Sequence, residues 1–239
     1  MPPARRPSRL SLRDVLFTQG FGTRRTCDAL ILDGRVRVGG EVVDDPRAEL
    51  DTAGLVFEVD GVAWPFHGQA LIALHKPAGY ECSLKPSAWP GVHTLLPLPL
   101  RQRGVQPVGR LDQDTTGLLL LTDDGTLLHR LTSPRHHVAK VYHARTAHAM
   151  TADQCTRLLE GVILHDDPQP VRASAARVLG DRLLELTLTQ GKYHQVKRMV
   201  AAAGNRVEAL HRVAFGALVL PPELAPGQWC WVTPQQVSP

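Results

Sequence analysis

From residue 10 the apolar positions recur at helical spacing. Leu10, Leu12, Val15 and Leu16 form a stripe, Ser11 stands where it can cap, and Gly20 with Gly22 closes the element. Thr23 opens a second helical pattern through Cys27, Leu30 and Ile31, which stops at the Asp33-Gly34 turn. Val36 and Val38 then alternate with Arg35 and Arg37, the period of a short strand ending at Gly39-Gly40. After a strand-like run at 55–59, the Gly, Pro and bulky residues of 61–68 break the pattern, which predicts a linker there. Beyond it, 71–74 reads as a buried strand ended by the proline of His75-Lys76-Pro77. The segments 118–122, 138–146, 183–189, 206–213 and 218–220 also have strand character. Two helices separate some of these. One starts at a capping-box pattern, Thr151 with Gln154, and the other covers 193–203 and stops at Gly204. Strands outnumber helices and do not alternate with them regularly. The fold class predicted is therefore α+β with a mixed sheet, rather than a doubly wound parallel one.

Composition narrows the classes. The 239 residues are 43% hydrophobic and 21% charged, values of a folded soluble protein that exclude wholesale disorder, collagen and coiled coil. The longest aliphatic run, Leu118 to Leu121, is far short of the roughly 20 residues that span a bilayer. No apolar stretch follows the basic N-terminus as a signal peptide requires, so the expected address is the cytoplasm. Cys27, Cys82, Cys155 and Cys230 lack paired spacing and read as reduced thiols. The histidines include no HExxH pattern, and the adjacent His136 and His137 sit in a Pro-Arg-rich stretch, so no metal is expected.

Charge adds more. The chain holds 27 Lys and Arg against 23 Asp and Glu, but residues 1–37 alone hold eight Arg against three Asp, which leaves 19 basic and 20 acidic residues elsewhere. A basic module on a near-neutral body points to a polyanion, with nucleic acid first and an anionic membrane surface second. Arg24 and Arg25 open the second helix, where cations oppose the helix dipole; a phosphate contact explains that placement better than a purely structural role. In order, Arg9-Leu10, Gly20-Phe21-Gly22-Thr23-Arg24-Arg25, Ala29-Leu30-Ile31 and Gly34-Arg35-Val36-Arg37-Val38 resemble the alpha-L RNA-binding motif of ribosomal small-subunit protein four. Gly39 departs from it where Asn is usual.

The most distinctive segment is Gly109-Arg110-Leu111-Asp112-Gln113-Asp114-Thr115-Thr116-Gly117-Leu118. Read from Asp112 it partly mimics a calcium loop, with Gly117 sixth and Asp123 twelfth. An EF-hand needs a helix on each side, though, and Pro107 and Gly109 oppose an entering helix while 118–121 is strand-like. A polar turn capped by its own Asp and Thr side chains is the plainer alternative. A second constellation, Gly191-Lys192-Tyr193-His194-Gln195-Val196-Lys197-Arg198-Met199, packs basic and aromatic groups into a strand-to-helix junction. Lys197 or Arg198 directed at Asp112 would keep that carboxylate ionised, as a nucleophile requires; an exposed basic helix face is the alternative.

Together with Ala139-Lys140-Val141-Tyr142, these segments resemble the ordered motifs of the RNA pseudouridine synthases. Asp114-Thr115-Thr116-Gly117, Leu121-Thr122-Asp123-Asp124-Gly125, Lys76-Pro77-Ala78-Gly79-Tyr80-Glu81-Cys82-Ser83 and the stretch from His129 to His137 are similar to the small-subunit ribosomal RNA branch (RsuA). That branch also carries an N-terminal alpha-L module. His75 departs from the branch, which usually has Asn before Lys-Pro, and residues 1–7 have no counterpart.

The resemblance implies a small alpha-L RNA-binding module joined to a mixed, mainly antiparallel catalytic sheet with flanking helices. The boundaries expected are a disordered tail at 1–7, the module at 8–60, the linker at 61–68 and the catalytic domain at 69–239. It also implies a cofactor-free isomerisation of a uridine in small-subunit ribosomal RNA, free or in an assembly intermediate, by a monomer. Asp112 matches the catalytic carboxylate, with Asp114 supporting it. Tyr142 matches the residue that stacks on the uracil, and Lys197 the basic partner of the aspartate, usually Arg. Arg110 would hold a phosphate beside the flipped nucleotide or serve as a packing arginine, and Arg9, Arg24, Arg25 and Arg35 would dock the RNA. The same chemistry on large-subunit ribosomal RNA, and an RNA-binding protein that uses Asp112 only structurally, remain as alternatives.

Overall fold

The computed structural model describes residues 9–165 and 167–237. The tail expected at 1–7 lies outside them. The chain divides into two compact units, one made of residues 9–70 with 96–105 and the other of 71–95 with 106–237.

In the first unit, β1 (Arg9–Ser11) pairs antiparallel with β4 (Glu49–Asp51). The helices α1 (Leu12–Thr18) and α2 (Arg24–Leu32) begin where the hydroxyls of Ser11 and Thr23 accept the amides of Asp14 and Thr26. Strands β2 (Val36–Val38), β3 (Glu41–Val42), β5 (Val56–Val59) and β6 (Val62–Pro65) form a small sheet in the order β3-β2-β5-β6. Leu12, Val15, Leu16, Cys27, Ile31 and Phe57 are buried beneath it. Burial raises the Cys27 thiol to about 11, so that sulfur acts as a core side chain.

Residues 61–68 are therefore not a linker. Pro and Gly interrupt the sequence pattern, but 62–65 is the return strand of a hairpin, with Phe57 opposite Trp64. Phe21 packs edge-on against both rings, at 5.6 and 5.4 Å between centroids. The segment carrying α3 (Leu98–Gln102) is tied to this unit by Arg103, whose guanidinium donates to Gln19 Oε1 at 2.8 Å and to the His67 carbonyl at 2.9 Å. Buried Gln19 also donates to the His67 carbonyl, at 3.0 Å.

The second unit is built on β7 (Leu71–Lys76), β8 (Gln106–Pro107), β9 (Thr116–Thr122), β10 (Lys140–Thr146), β13 (Ala175–Gly180), β14 (Leu183–Leu188), β15 (Val207–Phe215), β16 (Leu218–Val219) and β17 (Trp229–Trp231). They make one nine-stranded sheet, with the main order β13-β14-β10-β15-β9-β7-β17. Only the β9–β15 pair is parallel among the described strands, so the mixed, mainly antiparallel sheet expected from the sequence is present. Strands β11 (Val162–Leu164) and β12 (Asp167–Val171) form a separate ribbon. The flanking helices are α4 (Gly125–Thr132), α5 (Ala152–Glu160), α6 (Gln195–Ala202) and α7 (Pro234–Val237). α5 opens on the Thr151–Gln154 capping box and α4 on the Asp124 carboxylate. Leu71, Ala73, Leu118, Leu120, Leu127, Leu131 and Phe215 fill the core between α4 and the sheet. The neighbouring runs Leu71–Leu74 of β7 and Leu118–Leu121 of β9 are apolar and buried throughout, as strand segments covered on both faces should be.

Candidate active site

Asp112 lies on the loop between β8 and β9, and a buried cation holds that loop's backbone. Lys76, the last residue of β7, is fully buried, and its Nζ donates to the carbonyls of Pro77, Asp112, Gln113 and Thr115 at 2.8–3.1 Å. Burial depresses the lysine pKa, with the nearby acidic side chains opposing. The Gly79 amide donates to the Gln113 carbonyl at 2.8 Å and the Thr115 amide to that of Asp112 at 3.1 Å. Gly117 ends the loop with φ +104°, and a Cβ there would stand 2.3 Å from the Arg212 carbonyl oxygen. The close β9–β15 approach thus explains the glycine of the Thr-Thr-Gly run.

With the loop fixed, the Asp112 carboxylate sits between two basic side chains. His194 Nε2 is 3.3 Å from one oxygen and Lys197 Nζ 3.4 Å from the other. Lys197 stands on α6 and also donates to both oxygens of Asp114, at 2.7 and 2.9 Å. Burial works against charge on both members of that pair, yet the contact outweighs it: the Asp114 pKa is lowered and the Lys197 pKa raised. His194 reaches Asp112 from a left-handed backbone, φ +47°, and stacks on Tyr193 at 3.8 Å. Arg198 instead donates to the Tyr193 carbonyl at 3.0 Å.

Asp112 lines a cleft of about 470 Å³ together with Arg110, Tyr142, Lys140 and Arg212. Tyr142 is nearly buried on β10, whereas Arg110 is exposed. The four predicted cleft residues thus separate by role: Asp112 and Lys197 are in contact, and Tyr142 and Arg110 line the same cavity.

The four arginines predicted to dock RNA are more varied. Arg35 makes a fork to Asp60, at 2.7 and 2.6 Å, which lowers the Asp60 pKa through those hydrogen bonds. Arg24 lies 3.3 Å from Asp14 and 4.1 Å over the Phe17 ring. Arg9 only grazes the Glu49 carbonyl at 3.5 Å. Arg25 is exposed, with no ionic partner among the described residues.

Known sequences decide what this arrangement belongs to. The RNA pseudouridylate synthase family profile matches residues 70–202, and that of the S4 domain residues 11–55. The chain belongs to the RNA pseudouridylate synthase family. It is 35% identical over 227 residues to the ribosomal small subunit pseudouridine synthase A of Haemophilus influenzae, covering 94% of this chain and 97% of the relative. To the protein of that name from Escherichia coli K12 it is 36% identical with the same coverage. A solved pseudouridylate synthase superposes with a TM-score of 0.67 at 32% identity, over 95% of this chain and 98% of that one. The family profile spans Arg110, Asp112, Tyr142 and Lys197, and the S4 profile spans Arg24, Arg25 and Arg35 but begins after Arg9.

The sequence reading left four residues without a role, three that line the cleft and Lys76 buried behind the loop. The signal for Lys76 was a single cation closing an otherwise apolar strand. His194 lay inside the basic and aromatic 191–199 segment, with nothing local to show that its backbone turns it toward Asp112. Lys140 and Arg212 become neighbours only through the β10–β15 pairing.

Proposed function

We propose that this chain converts one uridine of small-subunit ribosomal RNA to pseudouridine in the cytoplasm, as a monomer and with no cofactor, using Asp112 as its catalytic carboxylate. The observation that carries the reading is the Asp112 carboxylate held within 3.5 Å of both His194 and Lys197 in a basic cleft large enough for a nucleotide. Lys197 and the His194 imidazole flank the carboxylate on its two oxygens, which positions it to serve as a nucleophile or to stabilise developing positive charge. A uridine drawn out of its stack would lay its ring on the Tyr142 face while its phosphate met the exposed Arg110 at the mouth. The relatives' names support ribosomal small-subunit RNA as substrate, and the S4 module supports docking through phosphates, with Arg25 best placed for it.

The test is to incubate wild type and Asp112→Asn with small-subunit and large-subunit ribosomal RNA, bare and protein-bound, and to map pseudouridine by carbodiimide labelling and primer extension. One new stop in small-subunit RNA is expected. Asp112→Asn should lower the single-turnover rate by at least about 10³ with the melting temperature unchanged. A stop in large-subunit RNA alone would reassign the substrate. Tight binding with no stop would leave a non-catalytic RNA-binding protein.

A further inference from the structure

The basic groups of the catalytic unit divide by what they touch. Lys76 is spent on backbone carbonyls and Lys197 on Asp112 and Asp114. Lys140 and Arg212 have no carboxylate partner among the described residues. Arg212 is 2% exposed; its Nε donates to the Leu118 carbonyl at 2.7 Å, and its Nη2 is enclosed with no hydrogen-bond partner among the described residues. Its guanidinium carbon and the Lys140 Nζ each lie 5.4 Å from the centre of the Phe215 ring, so both cations pack on one aromatic side chain. Burial depresses the Lys140 pKa, and the positive charge of Arg212 adds to the effect. The carboxylates lining the cleft are directed elsewhere: Glu81 accepts the amides of Ser87, Ala88 and Trp89, and Asp112 faces His194 and Lys197. Two shielded cations without a counter-ion are costly to hold, and an enclosed donor without an acceptor in a cleft calls for a ligand that supplies one.

Strand register decides which anion. Lys140 and Tyr142 are two residues apart on β10 and so share a face. A register shift between Val141 and Tyr142 sets Arg212 of β15 directly opposite Tyr142. A base stacked on Tyr142 therefore presents its edge to Lys140 and Arg212, while a backbone phosphate is met by Arg110 at the exposed rim.

Resting on the isomerase reading above, we infer that Lys140 and Arg212 form an anion site for the carbonyl edge of the detached uracil. The C1′–N1 bond breaks with its electron pair staying on the base, and an Asp112 oxygen bonds to C1′. The base is then an anion delocalised over N1 and its two carbonyl oxygens, and the two cations hold that charge during the turn. C5 next bonds to C1′ as the Asp112 carboxylate departs. Solvent water takes the C5 proton and supplies one to N1, so atoms and charge balance. Arg212 lies beyond the span of the family profile, which ends at residue 202.

Two measurements on the full chain test this. In single-turnover assays, Lys140→Gln and Arg212→Lys should slow pseudouridine formation by about 10²–10³ while RNA affinity stays within about threefold, with melting curves confirming folding. An unchanged rate, or a loss of affinity at unchanged rate, would overturn the site. Calorimetric titration with 5-nitrouracil, which is ionised at neutral pH, needs no turnover. Wild type should prefer it to uracil by about tenfold or more, and Lys140→Gln should abolish the preference. Displacement of 5-nitrouracil by millimolar inorganic phosphate would make this a phosphate site instead. An active wild type without the preference would sink the anion site and leave the isomerase reading standing; an inactive wild type with it would do the reverse.

Discussion

The two units both carry clustered positive charge but manage it in opposite ways. In the N-terminal unit the arginines expected to dock RNA are exposed, and where one has an aspartate partner that carboxylate is also in contact with water: Arg24 with Asp14 and Arg35 with Asp60. In the catalytic unit Lys76, Lys140, Lys197 and Arg212 are wholly or partly shielded, and each stands at the Asp112 loop or the cleft beside it. Exposed ion pairs contribute little individually and are screened by salt, whereas a shielded charge is strong because no water competes for it. The comparison teaches that docking on the first unit should be graded and salt-sensitive, while the second should fail sharply when one group is lost.

The largest effect should come from Lys76→Met, which removes the donor shared by the Pro77 carbonyl and three carbonyls of the Asp112 loop, all buried or partly buried. A loss on the order of 3 kcal/mol is expected, or roughly 5–10 °C in melting temperature, with faster amide exchange across 112–117 and at least about a hundredfold loss of activity. If hydrogen exchange in that loop were unchanged, the contrast between shielded and exposed cations would lose its strongest instance.

A middle-sized effect is expected from setting Arg25→Ala beside Arg35→Ala. Arg25 has no ionic partner among the described residues. Its loss should weaken RNA binding a few-fold and reduce the salt dependence of log K by about 0.7–0.9, with the turnover rate at saturating RNA unchanged. Arg35 is held by Asp60, so its loss should move the slope less. Filter binding at several salt concentrations measures both, and equal slopes would mean that the fork to Asp60 opens when RNA arrives. Point variants suit this purpose better than deletion of residues 1–60, which would cut the β5–β6 hairpin and strip Arg103 of Gln19.

The smallest effect concerns pH. Asp114 has its pKa lowered in the folded protein, so its contribution is complete above the ordinary carboxylate value near 3.8 and fades as pH falls through the folded value. Lys197 has its pKa raised, so its contribution is complete below 10.5 and fades as pH climbs through the folded value. Between those limits the pair should add no pH dependence. Wild type and Asp114→Asn should therefore have parallel activity profiles from about pH 5 to 9, and a step in wild type alone would show that the pair titrates within that window.

The fold was legible where its signals were local. Ser11, Thr23 and Thr151 act as the caps their spacing announced, because a cap is made by residues three apart. The strands at 71–76, 116–122 and 140–146 were visible as apolar or alternating runs. The run at 55–59 was read as a strand, but its partner at 62–65 was taken for part of a linker at 61–68 because Pro65 and Gly61 look like interruptions, whereas Pro65 falls at the strand end and Gly61 in the turn. The edge strand 175–180 and the strand 229–231 were missed because their residues are mostly exposed or half-buried, which weakens periodicity.

By itself the sequence determined the family, the two-module plan, the loop bearing Asp112 and the basic segment that faces it. These reside in short contiguous motifs whose residue types the chemistry constrains directly. Tertiary structure alone decided that Lys76 grips the loop, that Lys197 bridges two aspartates, that His194 is turned onto Asp112 by its backbone, and that Lys140 and Arg212 share a ring with no counter-ion among the described residues. Each of these is a contact between residues far apart in the chain or on different strands, which only the packed sheet and its flanking helix bring together.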